Sequence, residues 1–282
     1  MKEQGIFSAR TLGLGIVTAA LAACFTQTGA VTSARAALLL GAPQALGLVL
    51  LSAVALYAGR WCGLFTGRGL CSKAVCGALL LWFAAELAQT ALEAQRICWQ
   101  QFHSMAVVGL VPLLCWVGWG LEEPALNHTA RILWWFVLGG AAACVLGLAG
   151  QMQWERLFED AAPLWGQAAP RPLLLAEYFA LPLLGTAQAR RRGVWLPALS
   201  FGVQGLFALG LELLFGPMQN SSYTGFELLR AWALGAFSRL DALLVLIWLA
   251  TALYRVCFLS RVLRVCWGKL AAPRPAPGEA AC

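Results

Sequence analysis

Long apolar runs recur along the chain, and they restrict its fold more than any other feature. Of the 282 residues, 60% are hydrophobic and only 12% are charged, which is more apolar than a water-soluble domain of this size needs. A backbone in lipid must satisfy its own hydrogen bonds, so these runs are predicted to be helices. The sequence therefore predicts an all-α, polytopic membrane helix bundle, with one integral membrane domain over residues 1–270 and a disordered cytoplasmic tail over 271–282.

Runs of about 20 apolar residues, the length that crosses a bilayer, indicate eight spans: 11–40, 43–58, 74–92, 104–119, 131–150, 172–188, 194–215 and 237–258. The first is too long for one straight crossing, and the polar stretch Thr26–Ser33 interrupts it. An interrupted helix at membrane depth lines a cavity or is buried in protein. We therefore expect the backbone there to bind a ligand, through Thr26, Gln27, Thr28 and Gly29. The alternative is a kink or a turn between two spans.

The basic residues predict the orientation of the spans. With eight spans, 14 of the 20 Lys and Arg residues fall on the side of both termini, in segments 1–10, 59–73, 120–131, 189–193 and 255–282. Cytoplasmic loops carry such an excess, so both termini are predicted to be cytoplasmic. Topology thus explains the net charge of +7, and we expect membrane lipid rather than nucleic acid as a partner.

Four acidic residues lie within or just inside the predicted spans: Glu86, Glu177, Glu212 and Asp241. The predicted topology puts all four in the outer half, which suggests an acidic vestibule that favours a cation, a proton or the amino group of a small ligand. In the alternative interpretation, Glu177 and Asp241 merely favour helix N-termini, and Glu212 reaches the membrane interface.

A polar stripe marks the third span, where Glu86, Gln89, Thr90 and Glu93 share one helical face. The stripe predicts a cavity lined by Glu86 and Gln89, or alternatively a hydrogen-bonded seam between helices. In the seventh span, Gln204 is a further candidate ligand contact. The sequence carries no enzyme signature, so we expect neither catalysis, nor a cofactor, nor a metal site.

Three segments together resemble a known family. They are "GLEEPALNHTARI" (Gly120–Ile132), "AEYFALPLLGTAQARRRGVWLPALSFG" (Ala176–Gly202) and "GFELLRAWALGAFSRLDALLVLIW" (Gly225–Trp248). Their order and spacing resemble the GerAB-type spore germination proteins, the B subunits of germinant receptors and relatives of amino-acid permeases. The resemblance covers roughly the second half of the chain, where Asp241 replaces the usual glutamate. Family members typically carry further spans beyond the eighth.

The resemblance implies a permease-like (APC/LeuT-type) bundle with inverted repeats and an interrupted first helix. It also implies a receptor for a small germinant, an amino acid or amine, in a spore inner membrane or bacterial cell membrane, with A-like and C-like subunits as partners. The alternatives are a secondary transporter and a non-transporting scaffold. By residue-level matching, six residues occupy motif positions: Arg131, Glu177, Glu227, Arg230, Arg239 and Asp241.

Arg239 and Asp241 lie two residues apart at the start of the eighth span. Residues two apart do not face each other on a helix, so the two do not form a local salt bridge. Asp241 suits the positive N-terminal end of the helix. We interpret this motif, together with Arg131 and Glu212, as structural or gating rather than catalytic.

Overall fold

The computed structural model describes residues 13–19, 22, 34–57, 69–158, 177–184, 193–215 and 240–271. All regular structure in these ranges is helical, as the sequence predicts. The α-helices are α1 (Ala34–Tyr57), α2 (Leu70–Phe102), α3 (Ala106–Gly120), α4 (Glu123–Leu148), α5 (Glu177–Leu184), α6 (Leu196–Phe215) and α7 (Leu240–Ala271). Short 3-10 turns follow α4 at Ala149–Gln151 and Trp154–Phe158, and residues 13–19 are also helical.

The long helix α2 and the shorter α3 form a tight hairpin. Helix α2 ends where His103 adopts a left-handed conformation with φ 49° and donates its backbone N–H to the carbonyl of Trp99. The Gln95 side chain then fastens the turn, because its amide donates to the Ser104 carbonyl at 3.1 Å and its oxygen accepts the Val108 N–H at 3.1 Å. A connection of three residues therefore makes α2 and α3 antiparallel neighbours.

Helix α7 is the centre of the bundle and packs against α2, α3, α4 and α5. It runs antiparallel to α2, because Lys73 near the start of α2 donates to the Leu270 carbonyl near the end of α7, at 3.3 Å. A cation at a helix C-terminus satisfies a carbonyl that has no partner within the helix. On the other side, the Cys257 thiol donates to the Leu114 carbonyl of α3 at 3.6 Å.

Two hydrophobic clusters lie along α7. The first contains Phe83, Phe258 and Leu259, together with Ile16 and Val17 of the 13–19 segment. The second is built around Trp248, Ile97 and Leu148 and includes Ala22. The indole N–H of Trp248 donates to the Ala22 carbonyl at 3.3 Å, so residues of the 13–19 segment and Ala22 belong to the core of the bundle.

Several predicted span boundaries are wrong. Helix α1 runs without interruption from Ala34 to Tyr57 and contains Pro43, whereas the sequence places a boundary between spans at 41–42. A proline in a helix interior removes one backbone hydrogen bond, but membrane helices tolerate it when neighbouring groups compensate. Helices α2 and α7 also run well past the predicted limits of 92 and 258. Polar side chains in those extensions lower hydropathy without stopping a helix.

Three helical stretches are long and apolar enough to cross a membrane: Leu70–Phe102, Pro124–Gln151 and Ala242–Ala271. Two shorter apolar helices accompany them, Gly41–Val54 and Ala106–Gly120. The part of the chain that the structure describes is therefore that of a membrane-embedded helical protein. The predicted stretch around Thr26–Ser33 and the tail 272–282 lie outside the described residues.

Candidate functional site

A buried arginine occupies the middle of α7. Arg255 lies near the midpoint of this 32-residue helix, and its side chain is 4% exposed. Glu86 lies at the midpoint of the 33-residue helix α2. A stretch of about 20 residues crosses the hydrocarbon layer, and any such stretch within α2 contains residue 86, just as any within α7 contains residue 255. Both side chains are therefore at membrane depth wherever the two helices cross.

The guanidinium of Arg255 connects three helices through three hydrogen bonds. Its Nη2 donates to Glu86 Oε2 of α2 at 2.7 Å, and its Nη1 donates to Thr90 Oγ1 at 2.7 Å. Its Nε donates to Glu177 Oε1 of α5. We call these four residues, Glu86, Thr90, Glu177 and Arg255, the Arg255 centre. Charge-assisted hydrogen bonds of this kind are about twice as strong as neutral ones.

Local helix geometry brings Glu86 and Thr90 to the same guanidinium. They are four residues apart and so lie one above the other on one face of α2. The Thr90 hydroxyl donates its own proton to the Glu86 carbonyl at 2.7 Å, which leaves its lone pairs free to accept from Arg255. This orientation makes Thr90 an acceptor in the centre.

Glu177 enters the centre from the first turn of α5 and is fully buried, with 0% of its surface exposed. A carboxylate is favourable at this position because the N-terminal end of a helix is positive. Its second oxygen, Oε2, has no hydrogen-bond partner among the described residues. An unsatisfied buried polar group costs about 1–3 kcal/mol, and more when it is charged. Among the described residues, Glu177 therefore keeps one buried oxygen without a donor.

The charges of the centre do not balance. In their ionised forms, two carboxylates and one guanidinium leave one net negative charge in a buried position. The centre lies between the two hydrophobic clusters, since Tyr254 and Cys257 belong to the first and Ala252 to the second. Apolar surroundings strengthen electrostatic interactions. The centre is thus suited to a further hydrogen-bond donor that carries positive charge.

The structure brings together two of the predicted carboxylates and places the backbone of Asp241 away from them. Glu86 and Glu177 meet at Arg255, with 25% of the Glu86 side chain exposed. Asp241 is the second residue of α7, about 21 Å along the helix axis from Arg255. Glu212 is buried in α6 beside Leu213, whose carbonyl accepts the Gln153 N–H at 3.0 Å. Glu86 and Glu177 therefore do not share one vestibule with Asp241, because Glu86 is central rather than near the outer end of its helix.

The polar stripe on α2 divides between two environments. Glu86 and Thr90 face α7, whereas Gln89 is exposed and donates its amide N–H to Glu93 Oε1 at 2.9 Å. The contacts of Glu86 and Thr90 match the predicted seam between helices. Gln89, predicted to line a cavity, lies outside the Arg255 centre.

For the remaining predicted residues, the structure gives at most an exposure or a position in a helix. Arg131 is exposed on α4. Gln204 and Asp241 lie in α6 and α7, but the positions of their side chains are outside the description. Seven residues lie outside the described ranges: the predicted site residues Thr26, Gln27, Thr28, Gly29 and Arg239, and the motif residues Glu227 and Arg230.

Sequence reasoning missed the residue at the middle of the site. The predicted cytoplasmic segment 255–282 overlaps the predicted span 237–258, and Arg255, which lies in the overlap, is assigned there to the cytoplasmic basic residues. The signal that could have identified it is the apolar sequence on both sides, "LATALY" before it and "VCFL" after it. An arginine flanked in this way is intramembrane rather than a loop residue, and such residues mark functional sites.

No family model, curated protein or solved structure matches this chain.

Proposed function

We propose that the protein is a membrane receptor subunit that senses a small ligand through the Arg255 centre, in the manner of the B subunit of a GerAB-type germinant receptor. The observation that carries the proposal is a centre in which one buried arginine and two carboxyl groups join three helices. Ionisable groups are costly in this position and are typically retained for function. That the protein is a receptor subunit is inferred from the motif resemblance in the second half of the chain.

An amino acid or a small amine is the ligand that this centre suits best. The ammonium group of such a ligand would pair with Glu177 and donate to its Oε2, which has no partner among the described residues. An amine without a carboxylate would also balance the net negative charge of the centre. Arg255 has five N–H donors and uses three of them in the contacts described above, so two remain for a ligand carboxylate. The proposed site residues in the described part are therefore Glu177, Arg255 and Glu86.

A secondary transporter of an amino acid or amine is the second candidate. It is favoured by the location of the centre at the middle of α2 and α7, where a permease-like protein binds its substrate. The third candidate is a scaffold that only assembles a complex, in which case the centre is a static seam. The complete burial of Glu177 favours this last interpretation.

Neutralising Glu177 should abolish ligand recognition while leaving the protein folded. In Glu177→Gln the amide oxygen still accepts the Arg255 Nε–H, and the excess negative charge is removed. We expect the purified full-length protein to respond to one or more members of an amino-acid and amine panel, by a ligand-dependent rise in its unfolding temperature. Glu177→Gln should lose this response, and Glu86→Gln should weaken it.

Glu122→Gln is the matched control, because Glu122 is an exposed carboxylate in the turn before α4. It should keep the full response. If the wild-type protein responds to no compound, the receptor and transporter proposals are contradicted and only the scaffold interpretation remains. The same conclusion follows if the Glu177→Gln and Glu86→Gln variants give wild-type dose–response curves. Uptake of the responding compound into proteoliposomes selects the transporter, whereas binding without uptake selects the receptor.

We propose eight spans in a permease-like arrangement with both termini in the cytoplasm, in a bacterial cell membrane or spore inner membrane. The resemblance adds A-like and C-like subunits as partners, which should co-purify with the protein from its native membrane. The directions of the described helices agree with those expected for successive membrane spans, since α2 is antiparallel to both α3 and α7.

The exposed Cys71 at the start of α2 offers a direct test of orientation. It should react with a membrane-impermeant thiol reagent only after cells are permeabilised, because its end of the bundle is proposed to be cytoplasmic. A cysteine introduced by Ser104→Cys, at the opposite end of α2, should react in intact cells. Peptide mapping identifies the labelled position, and the reversed pattern would overturn the orientation.

A further inference from the structure

An apolar layer lies on one side of the Arg255 centre. On α2, Trp82 lies one turn from Glu86, towards the start of the helix. On α7, Leu259 lies one turn from Arg255, towards the end of the helix, and is fully buried. The two helices are antiparallel, so Trp82 and Leu259 lie on the same side of the centre.

Helix α5 adds two side chains to this layer. Leu181 lies one turn after Glu177 and is buried in the same hydrophobic cluster as Leu259. The ring of Phe179 contacts the Trp82 indole, with ring centroids 5.1 Å apart and the planes tilted by 53°, a favourable arrangement for two aromatic rings. We call Trp82 and Phe179 the ring pair. The apolar layer thus consists of Trp82, Phe179, Leu181 and Leu259.

The opposite side of the centre is polar. Thr90 lies one turn from Glu86 in the direction away from the apolar layer, and it is buried. Thr251 lies one turn from Arg255 in the same direction; it is also buried, and its hydroxyl donates to the Trp248 carbonyl at 2.6 Å. A ligand whose charged groups bind at the centre therefore meets an apolar environment on one side only. This asymmetry favours one direction for an apolar side chain of the ligand.

Side chains rather than backbones join α2 to α5. Among the described residues, α5 packs against α7 but makes little backbone contact with α2. Two connections cross between them, namely the carboxylates that share Arg255 and the ring pair. Glu86 keeps 25% of its side chain exposed, and both rings are only partly buried. The crevice between α2 and α5 is therefore bordered by side chains that are partly exposed.

We propose that the ring pair is the side-chain subsite of the ligand site, and that the ligand is an amino acid or amine with an apolar or aromatic side chain. This inference rests on the proposed function and adds the class of ligand. The charged groups of the ligand bind at Arg255 and Glu177, and its side chain packs on the exposed faces of Trp82 and Phe179. The two rings contact each other, so the side chain packs against the pair rather than between its members.

The chemistry of the apolar layer selects among ligands that share the same charged groups. Leu181 and Leu259 carry no polar side-chain atom, and the Trp82 indole offers a single N–H donor. A polar or acidic side chain would lose its hydration there and find few partners, which is costly. Glycine and methylamine have the charged groups but no side chain that reaches the layer. The site should therefore discriminate between ligands by the side chain.

A panel of ligands with matched charged groups tests the subsite in the purified full-length protein. The measurement is the ligand concentration that gives half of the maximal rise in unfolding temperature. Glycine, leucine, phenylalanine and aspartate form one series, and methylamine and phenethylamine form the other. Burial of a leucine-sized side chain contributes about 10-fold to 100-fold in affinity. We therefore expect the apolar and aromatic members to act at concentrations at least about 10-fold lower than the other members of their series.

Variants of the ring pair separate the subsite from the charged centre. Trp82→Leu should reduce the preference for phenylalanine over glycine by about 10-fold and leave the response to glycine unchanged. Trp82→Phe keeps an aromatic ring and should retain most of the preference. Phe179→Leu removes the other ring, from a different helix, and so tests the subsite independently of Trp82. The matched control is Trp116→Leu, because Trp116 on α3 is 76% exposed and outside the layer; it should keep the wild-type preference.

The outcomes distinguish the subsite from the proposed function. If the wild type responds equally to glycine, leucine and phenylalanine, the subsite is wrong although the receptor proposal stands. The subsite is also wrong if Trp82→Leu and Phe179→Leu keep the wild-type preference, or if they weaken the response to every compound equally, since a uniform loss indicates a structural role for the rings. A wild-type protein that responds to no compound overturns both this inference and the proposed function.

Discussion

Replacing Arg255 by methionine should prevent most of the protein from accumulating as a folded bundle. The change removes three hydrogen bonds at once and leaves the fully buried Glu177 beside the partly buried Glu86 without a counter-charge. Breaking a buried ion pair by removing one partner costs about 3–5 kcal/mol, a large fraction of the stability of a typical protein. The measurement is the yield of monodisperse protein extracted in mild detergent, together with its unfolding temperature.

Arg264→Met provides the control for the loss of an arginine from the same helix. The Arg264 guanidinium donates to the Trp119 carbonyl at the exposed end of the bundle, where water can replace the lost bond. We expect a cost below about 1 kcal/mol. If Arg255→Met and Arg264→Met were equally mild, the Arg255 centre would not hold the three helices together.

Gly118→Ala should force α3 away from α7. A Cβ at this position would lie 2.7 Å from the Cys257 carbonyl oxygen and 2.8 Å from its Cα, distances at which the backbone must move. Overpacking in a well-packed interior typically costs about 1–3 kcal/mol. Cys257 is two residues from Arg255, so the same shift should also reduce any ligand response of the centre.

Gly109→Ala on the same helix is the matched control, because a Cβ there meets nothing within 4 Å. An alanine in an open helical position is more favourable than glycine by up to about 1 kcal/mol. The two variants should therefore shift the unfolding temperature in opposite directions. A Gly118→Ala protein as stable as Gly109→Ala would mean that α3 and α7 are further apart than the structure indicates.

The helical and membrane-embedded character could be read from the sequence because it depends on composition. The ends of the helices could not, because they depend on individual hydrogen bonds. The fall in hydropathy predicts that the third span ends at 92, yet α2 continues to Phe102. The side chain of Gln95 that lowered the hydropathy is the one that fastens the turn to α3. A polar residue at a span end thus indicated a structural contact rather than a loop.

The sequence identified the two carboxylates of the Arg255 centre but not the arginine that joins them. Glu86 and Glu177 were identified because carboxylates are rare in apolar segments, and that argument needs no knowledge of packing. Their common partner was missed because it is 169 and 78 residues away along the chain. Contacts over such separations are set by helix packing, which periodicity does not reveal. The rule that assigns basic residues to cytoplasmic loops also gave Arg255 an explanation that the structure does not support.

Packing also explains why the four predicted acidic residues were not found together. The sequence placed them by their distance from predicted span ends, and those ends moved when α2 and α7 proved longer. Glu86 became central, whereas Asp241 stayed near the first turn of α7. Small errors in helix length were therefore sufficient to place Glu86 and Asp241 at the same predicted depth.

The central claim is that Arg255, Glu86 and Glu177 form one coupled unit, and a mutant cycle tests it most directly. The measurement is the free energy of unfolding of four proteins in one detergent: wild type, Arg255→Met, Glu86→Gln/Glu177→Gln, and the variant with all three changes. Contacting charges show coupling of about 0.5–3 kcal/mol, whereas independent sites add within about 0.5 kcal/mol. We expect the three-change variant to be more stable than Arg255→Met by at least about 2 kcal/mol, because it contains no unpaired buried charge. Additive effects, with the three-change variant the least stable of the four, would contradict the account.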